Sequence, residues 1–213
     1  MGSIFSFLGN AIYLAMAIVA GWGAYCVIVV FNRVKQKQFP NENQQTGFLE
    51  AIEEPLMRGE YDAASEICEG DRRAICQLSQ LAIDNRAIGY AKIKQLLADR
   101  FQRDVLQDLE YRLSWVITVI KTAPMLGLLG TVLGMMGAFA KLAASKTVEA
   151  DKLAQDIQFA LITTALGLSI AIPLTLCVAY INVQIKKMED LVSFGINQFL
   201  EIFRQAIIRN PVA

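Results

Sequence analysis

The sequence contains no histidine among its 213 residues. Histidine is the commonest metal ligand and the commonest general base at neutral pH, so its absence weighs against metal chemistry and most enzyme classes. The four cysteines form no CxxC pair, and no nucleophile, base and orienting residue stand together. The nucleotide-binding patterns GK[ST] and GxGxxG are also missing. We therefore expect a protein that is not an enzyme and that uses no metal or cofactor.

Charged side chains are missing from three long stretches of an otherwise balanced sequence. Twenty Lys and Arg residues match twenty Asp and Glu residues, and the basic residues form no long run, so nothing indicates a nucleic-acid partner. No charged residue occurs within 11–31, 122–140 or 157–185, and hydrophobic residues make up 54% of the chain. A helix of about 20 such residues crosses a hydrocarbon core of roughly 30 Å. The sequence therefore predicts an all-α integral membrane protein with three transmembrane helices in a lipid bilayer.

Basic residues are distributed unevenly around the three predicted spans. One side collects Arg33, Lys35, Lys37, Arg100, Arg103, Arg112, Lys186 and Lys187, whereas the other has Lys141, Lys146 and Lys152. Lys and Arg accumulate on the cytoplasmic side of membrane proteins. We therefore expect the N-terminus outside the membrane and the C-terminus in the cytoplasm.

The polar sequence between the first two spans predicts a small cytoplasmic helical domain. We expect Pro40, Pro55, Gly59 and Gly70 to break it into short helices. From Leu97, apolar residues then recur every three or four positions into the second span, which predicts one long helix from cytoplasm into membrane.

An apolar stripe also follows the third span and predicts a C-terminal cytoplasmic helix. The alternative is an amphipathic tail that lies on the membrane surface. The predicted segments are 1–32 with the first transmembrane helix, 33–113 as the cytoplasmic helical domain, 114–187 with the second and third transmembrane helices and a short periplasmic loop at about 141–156, and 188–213 as the C-terminal helix.

Small residues share one face of the second span and one face of the third. The second span has Gly127, Gly130, Gly134 and Gly137 within a narrow stripe, and the third has Ala160, Thr164, Gly167, Ala171 and Thr175. Such faces let another helix approach closely, either for helix association alone or around a functional lumen. Pro124 and Pro173 each remove a backbone donor within a span, so we expect kinks or water contacts there.

The second and third spans contain no Asp, Glu, Lys, Arg or His. If protons pass through this protein, the titrating group must therefore come from a partner chain or from ordered water. Hydroxyl groups both donate and accept, so we expect Thr131, Thr163 and Thr164 to solvate a partner's carboxylate. The alternative is that each hydroxyl bonds back to a carbonyl of its own helix.

Two motifs in these spans resemble one known family. The second span reads Thr122-Ala123-Pro124 and then Gly127-Leu128-Leu129-Gly130-Thr131-Val132-Leu133-Gly134. The third reads Ala160-Leu161-Ile162-Thr163-Thr164-Ala165-Leu166-Gly167-Leu168, followed by Ala171-Ile172-Pro173. Both are similar to the MotA/TolQ/ExbB proton-channel family, and within it to the three-span ExbB/TolQ branch. The stretch 56–64 also resembles the family's cytoplasmic helix-turn-helix, less specifically.

The resemblance implies a subunit of a motor channel in the bacterial inner membrane, driven by the proton motive force and acting on the envelope or outer membrane. It implies a homo-oligomer, a pentameric ring, that encloses a dimer of a single-span ExbD/TolR-like partner. A membrane aspartate of that partner carries the proton. Thr131 and Thr164 match the family's pore-facing threonines.

The sequence departs from the family at one position. ExbB and TolQ proteins often carry a glutamate five positions before the second threonine, and Phe159 stands there, flanked by Gln158 and Ala160. The chain therefore lacks the acid that would make it a proton relay on its own. The alternative function is a non-conducting membrane scaffold or assembly protein with the same fold.

Overall fold

The computed structural model describes residues 2–144 and 150–209, and the regular structure in these ranges is helical, with no strand. The helices are α1 (Gly2–Lys37), α2 (Glu42–Arg58), α3 (Tyr61–Cys68), α4 (Ala74–Asp84), α5 (Tyr90–Arg100), α6 (Gln107–Ala144) and α7 (Ala150–Arg209). A short 3₁₀ turn at Arg86–Ile88 precedes α5, and a π-helical segment at Phe101–Leu106 joins α5 to α6. The predicted all-α fold is therefore confirmed.

Three helical stretches are long and apolar enough to cross a membrane. They are Asn10–Lys37, Tyr90–Ala143 and Leu153–Arg209, and each contains one of the charge-free stretches. Helices satisfy their own backbone hydrogen bonds, which is what a chain must do where lipid replaces water. The prediction of three membrane-spanning helices is confirmed, and the protein is a multi-pass membrane protein.

The chain divides into two compact units. The membrane unit consists of α1 up to Val29 together with Arg112–Tyr180. The polar unit consists of Val30–Tyr111 together with α7 from Ile181 onward. The membrane unit holds both sequence motifs, and the polar unit holds the short helices α2 to α5.

Pro55 does not end a helix, although the sequence predicted a helix break there. It lies inside α2, which continues to Arg58. Leu56 is completely buried and anchors this turn of the helix even though proline removes one backbone donor. The helix ends instead at Gly59, whose φ of 80° is left-handed and whose N–H caps the last turn by donating to the Leu56 carbonyl.

The C-terminal part of α7 is packed inside the polar unit. Its apolar stripe is buried, with Met188, Val192, Phe199 and Phe203 at most 1% exposed. Gln45 of α2 reaches the same helix and donates from Nε2 to the Leu191 carbonyl at 2.8 Å. A surface tail would leave this stripe free for lipid, so the alternative of an amphipathic tail on the membrane is wrong.

The long helix predicted from Leu97 into the second span is present, but it is not α-helical throughout. Within Phe101–Leu106 the backbone hydrogen bonds join residues five positions apart, as in a π-helix. At the end of the segment, the Gln107 N–H donates to the Gln102 carbonyl. Phe101, Val105 and Leu106 are buried there. A π-helical turn holds more residues than an α-helical turn, so the spacing of the buried side chains differs here from that of a regular α-helix.

Candidate functional site

The backbones of α6 and α7 come into close contact in the membrane unit. A Cβ atom added to Gly127 would lie 2.8 Å from the Thr163 carbonyl oxygen and 3.0 Å from the Thr164 Cα. On the other helix, a Cβ added to Gly167 would lie 2.7 Å from the Ala123 carbonyl oxygen. Real side chains essentially never approach backbone atoms this closely, so only glycine fits at both positions.

Two further glycines of the α6 stripe, Gly130 and Gly134, face the same helix. A Cβ on Gly130 would overlap the hydroxyl of Thr163 and lie 2.6 Å from its Cβ. A Cβ on Gly134 would lie 2.9 Å from both the Ala160 Cβ and the Asp156 carbonyl oxygen. The small-residue faces of α6 and α7 are therefore used against each other within one chain. They do not by themselves provide an interface to a second copy.

Thr163 and Thr164 attach α7 to α6 at this contact. Thr163 is completely buried, and its hydroxyl donates to the Ala160 carbonyl at 2.8 Å, with a longer contact of 3.4 Å to the Gly127 carbonyl. Thr164 is half-buried, and its hydroxyl donates across the interface to the Gly127 carbonyl at 3.2 Å. The alternative of bonding back to its own helix therefore applies to Thr163, whereas Thr164 bonds between helices.

Thr131 is half-buried on α6, one residue from the glycine contact. Its hydroxyl donates to the Leu128 carbonyl of its own helix at 2.6 Å. Thr131 and Thr164 are thus bonded to consecutive carbonyls of α6, those of Leu128 and Gly127. Both bonds therefore end on the same turn of α6, although the two threonines lie 33 positions apart in the sequence.

The two prolines of the motifs lie inside their helices. Pro124 is within α6, and its Cα would lie 3.2 Å from a Cβ on Gly167, so it is part of the close contact. Pro173 is within α7 and is exposed. Both helices continue past their prolines without losing helical assignment.

Phe159 packs against the other two membrane helices. Its ring meets the ring of Tyr13 of α1 edge-on, with centroids 5.5 Å apart and planes at 88°. Its Cδ1 atom would lie 3.2 Å from a Cβ on Gly134 of α6. The position of the family's glutamate is therefore an apolar contact among α1, α6 and α7 in this protein.

Sequence reasoning missed two features of this unit. Lys141 and Asp156 form an ion pair of 2.7 Å near the point where α6 ends and α7 begins, and the Asp156 side chain is only 22% exposed. Asp156 stands one residue before the charge-free stretch, so the search for acids within that stretch passed it over. Gly23 of α1 is the second feature, because a Cβ there would lie 2.8 Å from Val119 and 2.9 Å from Leu174.

Across residues 2–144 and 150–209, no three metal-binding side chains come together. At the close contact between α6 and α7, the polar side chains described above are the hydroxyls of Thr131, Thr163 and Thr164. Hydroxyls bind and orient a proton carrier without titrating themselves near neutral pH.

Comparison with known proteins gives a consistent result. Residues 75–193 match the sequence profile of the MotA/TolQ/ExbB proton channel family. The chain is 35% identical to the Tol-Pal system protein TolQ of Haemophilus influenzae over 107 residues, which cover 50% of this chain and 47% of that protein. It is 45% identical to the biopolymer transport protein ExbB of Xanthomonas campestris over 65 residues, 30% of this chain and 26% of that protein.

A longer match extends beyond the motifs. The chain is 28% identical over 169 residues to a putative biopolymer transport protein ExbB homolog of Methanothermobacter thermautotrophicus, which covers 78% of this chain and 58% of that protein. In each of these three comparisons the aligned region spans less than two thirds of the relative's own length.

Proposed function

Because the chain belongs to the MotA/TolQ/ExbB proton channel family, whose profile spans residues 75–193 of its 213, we propose that it is the larger subunit of a channel driven by the proton motive force. That family is a transport family and not an enzyme family. In this proposal the protein lies in the bacterial inner membrane with its N-terminus in the periplasm and its C-terminus in the cytoplasm. It converts proton flow into mechanical work on the envelope or outer membrane.

The observation that carries the proposal is the pair of half-buried hydroxyls on consecutive carbonyls of α6. Thr131 and Thr164 lie in charge-free stretches of two membrane helices whose backbones are in contact. Hydroxyls in membrane helices can hydrogen-bond to polar groups of a neighbouring chain, and these two are not fully buried in the single chain. We leave Thr163 out of the pathway, because its side chain has no exposed surface in the single chain.

The proton carrier in this proposal comes from a second chain. Within 122–140 and 157–185 there is no Asp, Glu, Lys, Arg or His, and the neighbouring Asp156 is engaged with Lys141. We propose that a pentamer of this chain encloses a dimer of an ExbD/TolR-like single-span protein with a membrane aspartate. The pentamer rests on family membership alone, since the glycine faces are occupied within the chain.

The test is reconstitution with and without the partner. The protein would be purified from its native membrane, co-purifying chains identified by mass spectrometry, and the complex placed in liposomes that contain a pH-sensitive dye. We expect a single-span partner, five copies of this chain by native mass spectrometry, and proton flux only when the partner is present. Proton flux from this chain alone would show that the carrier is not a partner's acid.

Orientation has its own test. On a cysteine-free background, Ser3→Cys should react with a membrane-impermeant maleimide from outside the cell, and Gln205→Cys only after the membrane is opened. The reverse pattern would refute the proposed orientation while leaving the family assignment intact.

A second candidate function is a non-conducting scaffold of the same fold. Phe159 favours it, because the family's acid is replaced by a ring packed against Tyr13. A pentamer that binds its partner and yet conducts no protons at any pH would support the scaffold over the channel.

A further inference from the structure

The hydroxyl groups of the second and third spans share one hydrogen-bonding pattern. Each donates its proton to a backbone carbonyl within the membrane unit. The donors are Thr122 to Thr118, Thr131 to Leu128, Thr163 to Ala160, Thr164 to Gly127, Ser169 to Ala165 and Thr175 to Ala171, at 2.6 to 3.2 Å. These six are all the serine and threonine residues within 122–140 and 157–185.

A carbonyl oxygen only accepts hydrogen bonds, so at these distances the hydroxyl is the donor in every pair. Each hydroxyl has a single proton, and that proton is used in the hydrogen bond to the carbonyl. The hydroxyl oxygen keeps two lone pairs that can accept hydrogen bonds. Thr131 and Thr164 are half-buried and bonded to adjacent carbonyls, whereas Thr163 is fully buried. The surface that these two residues present to a partner therefore accepts hydrogen bonds and does not donate them.

The two protonation states of a carboxyl group respond oppositely to such a surface. An ionised carboxylate accepts only and would meet lone pairs on both hydroxyls, unless each gave up its bond to the carbonyl. A neutral carboxylic acid has an O–H that donates to either hydroxyl without disturbing them. Moving an ionised group into a site of low dielectric without donors is also costly, which favours the neutral form further.

Resting on the channel function proposed above, we propose that Thr131 and Thr164 bind the neutral, proton-loaded form of a partner's carboxyl group. This reverses the role expected from the sequence, in which the hydroxyls solvate a carboxylate. The acid is held at the hydroxyls while it carries its proton, and it releases the proton to water only after leaving them. The two threonines are positioning residues, since the proton stays on the partner's oxygen.

The test compares hydroxyl-deleted and hydroxyl-retaining variants of the purified complex in liposomes. Thr131→Val and Thr164→Val keep the branched shape without the acceptor, and Thr131→Ser and Thr164→Ser keep the acceptor. Loss of both acceptors in the double valine variant should move the pH of half-maximal proton flux downward by about 0.5 to 1 unit. Each single valine variant should shift it by less, because the single O–H of the acid can still donate to the remaining hydroxyl. The serine variants should stay at the wild-type value.

A matched control is Thr175→Val, which removes an equivalent back-bonded hydroxyl from the same helix. It should leave the half-maximal pH unchanged. An upward shift in the valine variants would overturn the proposal, because it would show that the hydroxyls donate to the ionised form. Unchanged profiles would do the same, because the hydroxyls would then not touch the acid. Flux that requires Na⁺ would also overturn it, since the lone pairs would be coordinating a cation.

Infrared spectroscopy separates failure of this inference from failure of the channel function. The C=O stretch of a neutral carboxylic acid in the wild-type complex should persist at neutral pH and should weaken in the double valine variant. A complex without flux that still has this band would refute the channel and keep the inference. A conducting complex whose band is absent, or is unchanged by the substitutions, would refute the inference alone.

Discussion

Gly127→Ala should separate the backbones of α6 and α7. The new Cβ would meet the Thr163 carbonyl oxygen at 2.8 Å and the Thr164 Cα at 3.0 Å. Neither atom can rotate away, because both belong to the backbone of a packed helix. Relief therefore requires α7 to move by several tenths of an ångström toward an ordinary contact distance.

The energetic cost has two parts. Overpacking of this kind costs about 1 to 3 kcal/mol. The hydrogen bond from Thr164 to the Gly127 carbonyl is already 3.2 Å long, so helix separation would break it. An interhelical hydrogen bond in a membrane contributes about 0.6 kcal/mol on average. We expect Gly127→Ala to lower the free energy of unfolding by about 1.5 to 3.5 kcal/mol.

Two matched alanine substitutions on α1 calibrate this value. Gly21 has nothing within 4 Å of an added Cβ, so Gly21→Ala should stay within about 0.5 kcal/mol of wild type. Gly23→Ala should fall between the two, because the added Cβ meets side-chain atoms of Val119 and Leu174 and no backbone atom among its three nearest contacts. Equilibrium unfolding in mixed detergent micelles measures all three. Equal stability of Gly127→Ala and Gly21→Ala would refute the backbone contact.

Three further predictions concern other parts of the chain. A double-mutant cycle with Lys141→Met and Asp156→Asn should give a coupling energy of about 0.2 to 1 kcal/mol for this ion pair. The coupling energy should decrease at high salt. Strictly additive effects of the two substitutions would contradict the ion pair. Burial raises the pKa of the Cys68 thiol from 9.0 to about 12, so the thiol loses its proton at lower pH in the unfolded chain than in the folded protein. The free energy of unfolding should therefore fall as pH rises from about 9 to about 12. Denaturant titrations of Cys68→Ala should lack the part of this fall that comes from Cys68. Gly195→Ala should crowd the buried amide of Gln45 and lower the melting temperature, and Gln45→Ala should relieve that effect when the two are combined.

The fold could be predicted from sequence because lipid imposes a simple rule. Charge-free stretches of about 20 residues have few stable structures other than a membrane helix, so 11–31, 122–140 and 157–185 were sufficient to find the three spans. The apolar stripe after Tyr180 likewise predicted that α7 would continue, and it runs to Arg209. Helical periodicity and the absence of breakers carry this information directly.

The contacts between helices could not be predicted in the same way. The spacing of Gly127, Gly130 and Gly134 identifies a face that packs closely but not which helix lies opposite, and the partner is α7 of the same chain. The π-helical segment at Phe101–Leu106 could not be predicted either. Apolar residues three and four positions apart are compatible there with both an α-helix and a π-helix. The sequence predicted a helix break at Pro55 because proline lacks the backbone N–H that a helix uses. That lack can be read from the sequence, whereas the burial of Leu56 depends on the fold.

The direction of a hydrogen bond depends on neighbours that the sequence does not specify. Whether Thr164 donates to its own helix or to another depends on the approach of the Gly127 carbonyl, which exists only once α6 and α7 are in contact. The sequence therefore identified hydroxyls for a candidate polar site but left both donor and acceptor roles open. The structure makes them acceptors toward any third group, because their protons are already used.

Phe159 stands where the family often has an acid, and its ring is packed against the neighbouring membrane helices. A carboxylate at this position would be placed beside the ring of Tyr13 and the backbone at Gly134, where it would lose hydration. Lys141 could not neutralise it, because Lys141 is already paired with Asp156, one helical turn away along α7. Three helices are thus arranged around an apolar residue where the family often has an acid. In the channel proposed above, the proton-carrying carboxyl group comes from outside the chain, and the hydroxyls of Thr131 and Thr164, which accept hydrogen bonds, are suited to that group in its neutral form.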